Sequence, residues 1–506
     1  MTLKFKIRIK KIVKLSLASL LMTFISSCET KEISVDLQVN EYEKFVSEMK
    51  SKGFNTGNIL VYENGEIIYK SSNGLRSIDP IDSLTLNSQF RLASVSKQFT
   101  GMAIMKLKQA GKLNYDQKVN TILTDFPYEN ITIKHLLHHT SGLADYEEIL
   151  EENFIPNDST KQYILGNNEI LNIFYKAKPE LIFEPGEQWE YSNTGYMTLA
   201  TIVEKISNQH FREFLKENIF NPIEMNNTTL YKYQIKPDPN MPNRVYGYGK
   251  TLDQKDYILN DYDIVNGVRG DGGIYSTLND LYKWNMALVN YEIIPKEYLD
   301  EAWSSGTLNN GEITGYGFGW FLPKDTTLPK TAFHSGGWVG FGTYLYNEIE
   351  TKSGYIVLTN DSWESLVYIT RAIDSIRIGA SYELQKGSIT KGMTKEMFSK
   401  NIDAAIDYYH QMKHDSANYQ VDESQLNYLG YILLNNEKND EALAIFKLNM
   451  EEYPSSANAH DSYGDALLLK GDSLKALEQF KICQKMDSTL VYTKEKILML
   501  EPKLNN

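Results

Sequence analysis

A serine and a lysine three positions apart, Ser94 and Lys97, are the residues of this chain best suited to chemistry. They stand at the start of a predicted helix, where this spacing places both side chains on one face, one turn apart. An amine in that position can accept the proton of the hydroxyl and make the serine a nucleophile. The pair therefore predicts covalent acyl transfer, although the same spacing at Ser47 and Lys50 makes it weak evidence by itself.

Two further motifs follow along the chain. Tyr191 and Asn193 form a Tyr-x-Asn motif, and residues 333–337 read Phe-His-Ser-Gly-Gly. In this order, the three motifs resemble those of the serine β-lactamase and penicillin-binding family, whose set is Ser-x-x-Lys, Ser-Asp-Asn and Lys-Thr-Gly. The resemblance is to the branch that contains class C β-lactamases, D-Ala-D-Ala carboxypeptidases and esterases. It extends to the stretches 136–143 and 272–277 and covers residues 41–380.

The resemblance implies a role for each motif residue. Ser94 would be the nucleophile, Lys97 its proton partner and Tyr191 a second proton carrier. Asn193 would hydrogen-bond the substrate amide and help to hold the lysine. The N–H groups of Ser94 and Gly337 would form the oxyanion hole. Each residue also has a purely structural interpretation, because serine favours helix N-caps and the chain contains 34 tyrosines.

A histidine, His334, stands where the family has the lysine of its third motif. It would hold a substrate carboxylate if protonated, or relay protons if neutral. The departure weakens the case for a penicillin-degrading enzyme and leaves the case for a hydrolase. The predicted substrate-binding and oxyanion residues are Asn193, His334, Ser335, Gly336 and Gly337.

Three histidines close together, His135, His138 and His139, invite interpretation as a metal site. No carboxylate stands among them as in His-Glu-x-x-His, and they precede a stretch that borders the site in the family. We therefore predict neither a metal nor a cofactor. Tyr146 and Trp338 are candidates to line the mouth of the cleft.

The elements that must position these residues are strands at both ends of the domain with helices between them. Residues 57–71 contain two β-rich runs around Asn64-Gly65 and predict a hairpin. Residues 95–110 predict a helix that ends at Gly111. Further strands are predicted at 316–322, 331–334, 342–346 and 355–359. The fold class is therefore α+β: an antiparallel β-sheet flanked by helices with a mostly helical insert, as in β-lactamases and transpeptidases.

The last hundred residues carry a repeat of 34 residues, in which Gly430, Ala442 and Phe446 recur as Gly464, Ala476 and Phe480. This is the period of tetratricopeptide repeats. An all-α helical-repeat domain is predicted over 400–500, after a linker at 381–399. Two repeats are few for an independent array, so 402–412 would add a layer or the array would lean on the catalytic domain. Binding of a protein partner and simple packing remain equal alternatives.

The first 27 residues have the features of a secretion signal. Six basic residues precede an apolar run at 15–25 that is too short to be a spanning helix. Small residues then lead to Cys28, which resembles the processing site of a bacterial lipoprotein. We predict a signal peptide at 1–27, lipidation of Cys28 and a tether at 28–40, with an ordinary signal peptide as the alternative. The other cysteine is Cys483, so no disulfide framework is expected.

Composition limits the function further. A length of 506 residues predicts two or three domains, and a hydrophobic content of 42% supports globular cores. The formal net charge is −13, and it becomes −19 when residues 1–27 are removed with their six basic and no acidic residues. This charge argues against nucleic-acid binding and against docking on anionic lipid through protein charge, so the lipid would be the anchor.

We therefore predict a serine hydrolase anchored in the bacterial cell envelope that cleaves an ester or amide of a small or peptide-like substrate. The alternatives are a β-lactamase, a penicillin-binding D-Ala-D-Ala carboxypeptidase, and a non-catalytic scaffold lipoprotein that binds proteins through its repeats.

Overall fold

A computed structural model of the chain describes residues 34–156, 162–232, 241–325, 329–361 and 363–504. They form two compact units, one within Glu29–Gly249 and Ile258–Gln385, the other containing Lys250–Tyr257 and Lys386–Asn506. The predicted signal peptide and Cys28 lie outside the described residues. No helix in the described part of the chain is long and apolar enough to cross a membrane.

The helices are α1 (Val35–Ser51), α2 (Lys97–Gln109), α3 (Ile133–Leu137), α4 (Tyr146–Asn153), α5 (Asn167–Ala177), α6 (Asn193–Ser207), α7 (Phe211–Leu215), α8 (Leu278–Val289), α9 (Lys296–Ala302), α10 (Trp363–Arg377), α11 (Ile389–Ser399), α12 (Ile402–Met412), α13 (Glu423–Asn435), α14 (Asn439–Glu452), α15 (Ala457–Leu469), α16 (Ser473–Met486) and α17 (Val491–Leu504). The strands are β1 (Gly57–Glu63), β2 (Glu66–Asn73), β3 (Leu75–Ile78), β4 (Ile81–Ser83), β5 (Phe90–Arg91), β6 (Thr229–Leu230), β7 (Tyr248–Lys250), β8 (Tyr257–Leu259), β9 (Ile274–Ser276), β10 (Thr331–Trp338), β11 (Phe341–Glu348), β12 (Ser353–Thr359), β13 (Gly387–Ser388) and β14 (Tyr419–Gln420).

A five-stranded antiparallel sheet organises the larger unit, in the order β10-β11-β12-β1-β2. The N-terminal hairpin joins the C-terminal strands through β1 and β12, with Asn58 opposite Leu358. Asn64 and Gly65 connect β1 to β2 with φ values of 52° and 80°, a left-handed pair that suits a tight hairpin. The predicted α+β fold and its hairpin are confirmed.

Helices cover both faces of this sheet. On one face α1 and α10 supply Tyr42, Phe45, Ile369 and Ile373 to a buried apolar cluster. On the other face lies the main core of the unit, which contains α2. Ten residues of α2 are buried, Lys97 among them. Burial on both faces fixes the sheet and this helix relative to each other, which is what a rigid site on their ends requires.

The predicted strand at 316–322 is wrong. This segment forms only isolated bridges, between Tyr316 and Phe321 and between Phe321 and Phe333. Its alternate glycines allow the chain to turn tightly against neighbouring backbone. A Cβ on Gly317 would lie 2.0 Å from the carbonyl oxygen of Ala302, so the segment packs too closely for a regular side chain.

The C-terminal unit is built mainly from consecutive helices that pack against each other, such as α13 with α14 and α15 with α16. The repeated residues make equivalent contacts, because a Cβ on Gly430 would lie 2.5 Å from the ring of Phe446, and one on Gly464 would lie 2.5 Å from that of Phe480. A helix-rich C-terminal region is therefore confirmed, and its assignment to the tetratricopeptide class stays a prediction. Two segments that were predicted to connect domains contain helix in the structure. The predicted linker at 381–399 contains α11, and α1 begins at Val35, within the predicted tether at 28–40.

Candidate active site

Ser94 lies in a short 3₁₀ turn, Ala93–Ser96, that leads into α2. The residue before it, Ala93, has a φ of 48°, in the left-handed region that a non-glycine residue seldom occupies. In the stretch 91–100, Ser94 is the one residue that is not fully buried. The turn thus exposes a single hydroxyl at the end of a buried helix, and its strained backbone fixes where that hydroxyl points.

Lys97 reaches back along the helix to this hydroxyl. Its side chain is 0% exposed. The Nζ atom donates to Ser94 Oγ at 3.3 Å, to Asn193 Oδ1 at 2.8 Å and to the backbone oxygen of Asp271 at 2.9 Å. Three acceptors match the three N–H donors of a protonated amine. The structure thus brings together the Ser-x-x-Lys pair and the asparagine of the second motif.

Tyr191 completes this group from the segment that precedes α6. Ser192 caps the helix by accepting a hydrogen bond from Gly195 N at 3.1 Å, which fixes Tyr191 and Asn193 on either side. The ring of Tyr191 lies 4.8 Å from Lys97 Nζ. Burial raises the pKa of Tyr191, and the neighbouring Ser94 hydroxyl partly offsets this rise, so the phenol is neutral in the resting site.

His139 holds the Tyr191 segment in place. Its backbone oxygen accepts from Glu190 N at 3.0 Å, and its Nδ1 accepts from Ser192 N at 3.0 Å. Its ring lies 4.4 Å from that of Tyr191. Burial lowers the pKa of His139 well below its usual value, so the ring is neutral and can accept at Nδ1. Sequence reasoning considered this residue only as a metal ligand and missed its structural role.

The edge strand β10 forms the opposite wall. A Cβ on Gly336 would lie 3.1 Å from Ser94 N and 2.2 Å from the carbonyl oxygen of Leu92, so strand and turn are in direct contact. Thr343 on β11 strengthens this contact by donating to the same carbonyl at 2.7 Å. Gly337, the next residue, is exposed. The Gly336 backbone thus lies against the turn that carries Ser94, and the exposed Gly337 follows it along β10.

His334 is buried and neutral. Its Nδ1 lies against the backbone oxygen of Ser335 and must donate, so its Nε2 accepts from the Tyr316 hydroxyl at 2.9 Å. Burial and the charge of Lys97 lower the pKa of His334 to about 3. Of its two predicted roles, the geometry therefore favours the neutral one. Ser335, between His334 and Gly336, is half-buried.

The other two neighbouring histidines bind separate partners. His135 Nδ1 accepts from Thr132 N at 3.2 Å, and His138 Nδ1 contacts the backbone oxygen of Tyr316 at 2.9 Å. Burial lowers the pKa of His138 to about 4. Within the described residues, no group of three or more His, Cys, Asp or Glu side chains is placed to hold a metal ion.

Asp271 is a further residue of the site that sequence reasoning missed. Its backbone accepts from Lys97, and its carboxylate accepts from the Tyr146 hydroxyl at 2.8 Å. Tyr146, predicted to line the mouth of the cleft, is 1% exposed and lies in the wall. The available signal was the acidic residue directly before Gly272-Gly273, which a search for nucleophile motifs does not weigh.

Comparison with known proteins agrees with this geometry. Residues 43–376 match the profile of the β-lactamase family. Penicillin-binding protein 4* of Bacillus subtilis is 36% identical over 359 residues, which cover 69% of this chain and 77% of that protein. Protein flp of Staphylococcus aureus (strain MW2) is 27% identical over 331 residues, and the match spans 61% of its length.

A solved structure is similar as well. The octameric penicillin-binding protein homologue from Pyrococcus abyssi superimposes with a TM-score of 0.57 at 25% identity, over 68% of this chain and 77% of that one. The fold and the match together define the class: this chain belongs to the β-lactamase family of serine hydrolases, with penicillin-binding protein homologues among its relatives. Members of this class act on amide and ester bonds.

Proposed function

We propose that the protein hydrolyses an ester or amide bond of a small or peptide-like substrate through an acyl-serine intermediate on Ser94. The observation that carries this proposal is the buried Lys97 Nζ, which contacts both Ser94 Oγ and Asn193 Oδ1, with the Gly336 backbone of β10 against the turn that carries Ser94. A nucleophile, a proton carrier and oxyanion donors in one place are the parts that acyl transfer needs.

Before the first step the Lys97–Tyr191 pair loses one proton to water. Ser94 Oγ then attacks the carbonyl carbon and gives its proton to this pair. The carbonyl oxygen becomes an oxyanion that accepts hydrogen bonds from the N–H groups of Ser94 and Gly337. The proton then passes to the leaving oxygen or nitrogen as its bond to carbon breaks, and the acyl-serine remains. A water molecule, deprotonated by the same pair, releases the acid and restores the serine.

The pairing of Tyr191 with Lys97 has a physical basis. Burial raises the pKa of Tyr191, so its phenol stays protonated and cannot act as a base unless a cation stabilises the phenolate. Lys97 Nζ, which contacts the same serine, is that cation. Asn193 keeps the amine in place and has a half-buried amide that can meet the substrate. His334, neutral and bonded to Tyr316, would hold the wall of the site or relay a proton.

The substrate class has two candidates within this reaction. One relative is named as a penicillin-binding protein, which favours a D-Ala-D-Ala-type peptide or a β-lactam. A neutral His334 offers no positive charge for a substrate carboxylate, which favours an uncharged ester or amide. β-Lactam hydrolysis is the less favoured outcome, because the third motif lacks its lysine.

The test compares the wild type with Ser94→Ala on p-nitrophenyl esters, on D-amino-acid amides and peptides, and on benzylpenicillin. Turnover that the variant lacks, with unchanged thermal unfolding, is the expected result. A covalent adduct of the drug mass that is absent from Ser94→Ala would select the penicillin-binding class. Equal turnover by both proteins would exclude Ser94 as the nucleophile.

We further propose that a lipid on Cys28 anchors the protein to a membrane of the bacterial cell envelope, with the hydrolase facing the envelope. The sequence of residues 1–28 supports this placement. Replacement of Cys28 by serine should release the protein from the membrane fraction. Retention of Cys28→Ser in that fraction would contradict the anchor.

A scaffold role for the repeats is the rival proposal. Two observations weigh against it: all of Ser94, Lys97, Tyr191 and Asn193 are retained, and the structure brings the first, second and fourth into hydrogen-bonding contact. The test is a pull-down with the full chain, as wild type and as Ser94→Ala. Capture of one envelope protein by both, together with no turnover of any substrate by the wild type, would favour the scaffold.

A further inference from the structure

A buried carboxylate beside the catalytic lysine has no part in the reaction as written above. Asp271 accepts a hydrogen bond from Lys97 through its backbone oxygen, at 2.9 Å, and another from the Tyr146 hydroxyl through Oδ2, at 2.8 Å. Its exposed fraction is 8%, that of Lys97 is 0% and that of Tyr146 is 1%. One residue therefore positions the lysine through its main chain and keeps a carboxylate close to it.

A carboxylate close to Lys97 matters because of the groups to which its amine donates. Lys97 Nζ donates to the Ser94 hydroxyl, the Asn193 amide and the Asp271 backbone oxygen, which carry no formal charge. A protonated amine buried without a counter-charge is strongly disfavoured. Asp271 supplies a negative charge on the same loop that supplies the backbone acceptor. Burial raises the pKa of the Asp271 carboxyl, and the charge of Lys97 partly offsets this rise.

The groups that face Asp271 come from three elements. Lys97 lies on α2, Tyr146 on α4 and Arg91 on β5, and each of them favours the charged carboxylate. The Arg91 guanidinium also donates to Asn266 Oδ1 at 2.6 Å. Burial raises the pKa of Tyr146 well above its usual value, so its hydroxyl keeps its proton and remains a donor to Asp271.

Three rings close to Lys97 and Tyr191 are neutral. His139 and His334 are neutral because burial and Lys97 itself lower the pKa of each ring. Tyr196 places its ring 5.7 Å from Lys97 Nζ and keeps its proton, since burial raises the pKa of Tyr196 well above its usual value. The negative charges that raise the pKa of Tyr191 are those of Asp271 and, after it, Asp145.

We propose that Asp271 is a positioning residue that holds the charge of Lys97 and thereby sets the pH range in which Ser94 reacts. A negative charge stabilises the protonated forms of its neighbours, so it makes the Lys97–Tyr191 pair a stronger base that is free of its proton only at higher pH. Tyr146 fixes the carboxylate, and its hydrogen bond favours the ionised form. The inference rests on the proposed function, because it assumes that Ser94 is the nucleophile.

The test follows the reaction of Ser94 with a fluorophosphonate ester, in which the serine oxygen bonds to phosphorus and fluoride leaves. Intact-mass spectrometry gives the second-order rate constant from about pH 5 to about pH 10, for the full chain. In Asp271→Asn the amide oxygen can still accept from Tyr146 but the charge is gone. The rising limb of the profile should move to lower pH by about one unit, and the plateau should fall because the base is weaker.

Two further variants separate charge from structure. Asp280 is a carboxylate that is 1% exposed and accepts from Asn227 N and Thr228 Oγ1. Asp280→Asn should leave the limb where it is in the wild type. Tyr146→Phe keeps the Asp271 charge but removes a donor that lowers its pKa, so this variant should resemble Asp271→Asn only at the acidic end of the profile.

Each outcome decides the matter. A limb that moves in Asp271→Asn and not in Asp280→Asn supports the proposal. A lower rate at every pH with an unmoved limb overturns it, leaves Ser94 as the nucleophile, and reduces Asp271 to a structural residue. No phosphonylation of wild-type Ser94 at any pH overturns the proposed function, and this inference with it.

Discussion

Replacement of Gly336 by alanine should disable the site, because the added methyl group has no room. The new Cβ would lie 2.2 Å from the carbonyl oxygen of Leu92 and 2.4 Å from Thr343 Oγ1. Carbon and oxygen atoms normally come no closer than about 3.3 Å, so β10 and the turn that carries Ser94 must separate by about 1 Å. The neighbour on one side is backbone, which cannot rotate away.

The expected loss has two parts. Overpacking of this kind destabilises a protein by about 1–3 kcal/mol. A displacement of about 1 Å between nucleophile and oxyanion donors lowers kcat/KM about 100-fold. Both quantities are measurable on one sample, by urea unfolding and by hydrolysis of p-nitrophenyl acetate.

Gly195→Ala is the matched control. It adds the same methyl group to α6, close to Tyr191 and Asn193. The nearest atom to the new Cβ would be the Leu136 carbonyl oxygen at 3.5 Å, an ordinary van der Waals distance. Alanine in a helix is favoured over glycine by up to about 1 kcal/mol, so stability should hold or rise and kcat/KM should stay within about threefold. Wild-type activity and stability in Gly336→Ala would refute the reasoning.

Three other outcomes are expected. Burial lowers the pKa of His138 to about 4, so the unfolded chain binds a proton at this residue before the folded protein does as the pH falls below about 6.5. This difference alone should lower the free energy of unfolding by about 3 kcal/mol at about pH 4. The free energy of unfolding of His138→Asn, measured in urea, should therefore depend less steeply on pH than that of the wild type. Asn193→Ala removes an acceptor of the Lys97 ammonium and should lower kcat/KM about 10- to 100-fold, whereas an unchanged value would exclude Asn193 from the site. Gly464→Ala presses on the Phe480 ring and should destabilise the C-terminal unit by about 1–3 kcal/mol, part of which Phe480→Leu should restore if the contact is the cause.

The motifs and their elements were predictable because they depend on local patterns. Ser94 and Lys97 are one helical turn apart, and Asn64-Gly65 has the conformation that a tight turn requires. The order of the three motifs along the chain was enough to indicate the family and hence the α+β fold. The helical C-terminal region followed from its repeat of 34 residues.

The rest depends on contacts between distant parts of the chain. Asp271 meets Lys97 from 174 positions away, and its place directly before Gly272-Gly273 does not by itself indicate this contact. The charge of His334 was left open because burial, which decides it, is a property of the folded protein. The segment 316–322 has the composition of a strand, but its glycines serve close packing against neighbouring backbone instead.

The central claim is that Ser94 carries the acyl group during turnover. The most direct measurement is to quench the reaction with p-nitrophenyl acetate in acid and to map the acetyl group by peptide mass spectrometry, with Ser94→Ala alongside. The account predicts one acetyl group on the peptide that contains Ser94 and neither adduct nor turnover in the variant. Turnover by Ser94→Ala, or an acetyl group on a different residue that forms as fast as turnover, would contradict it.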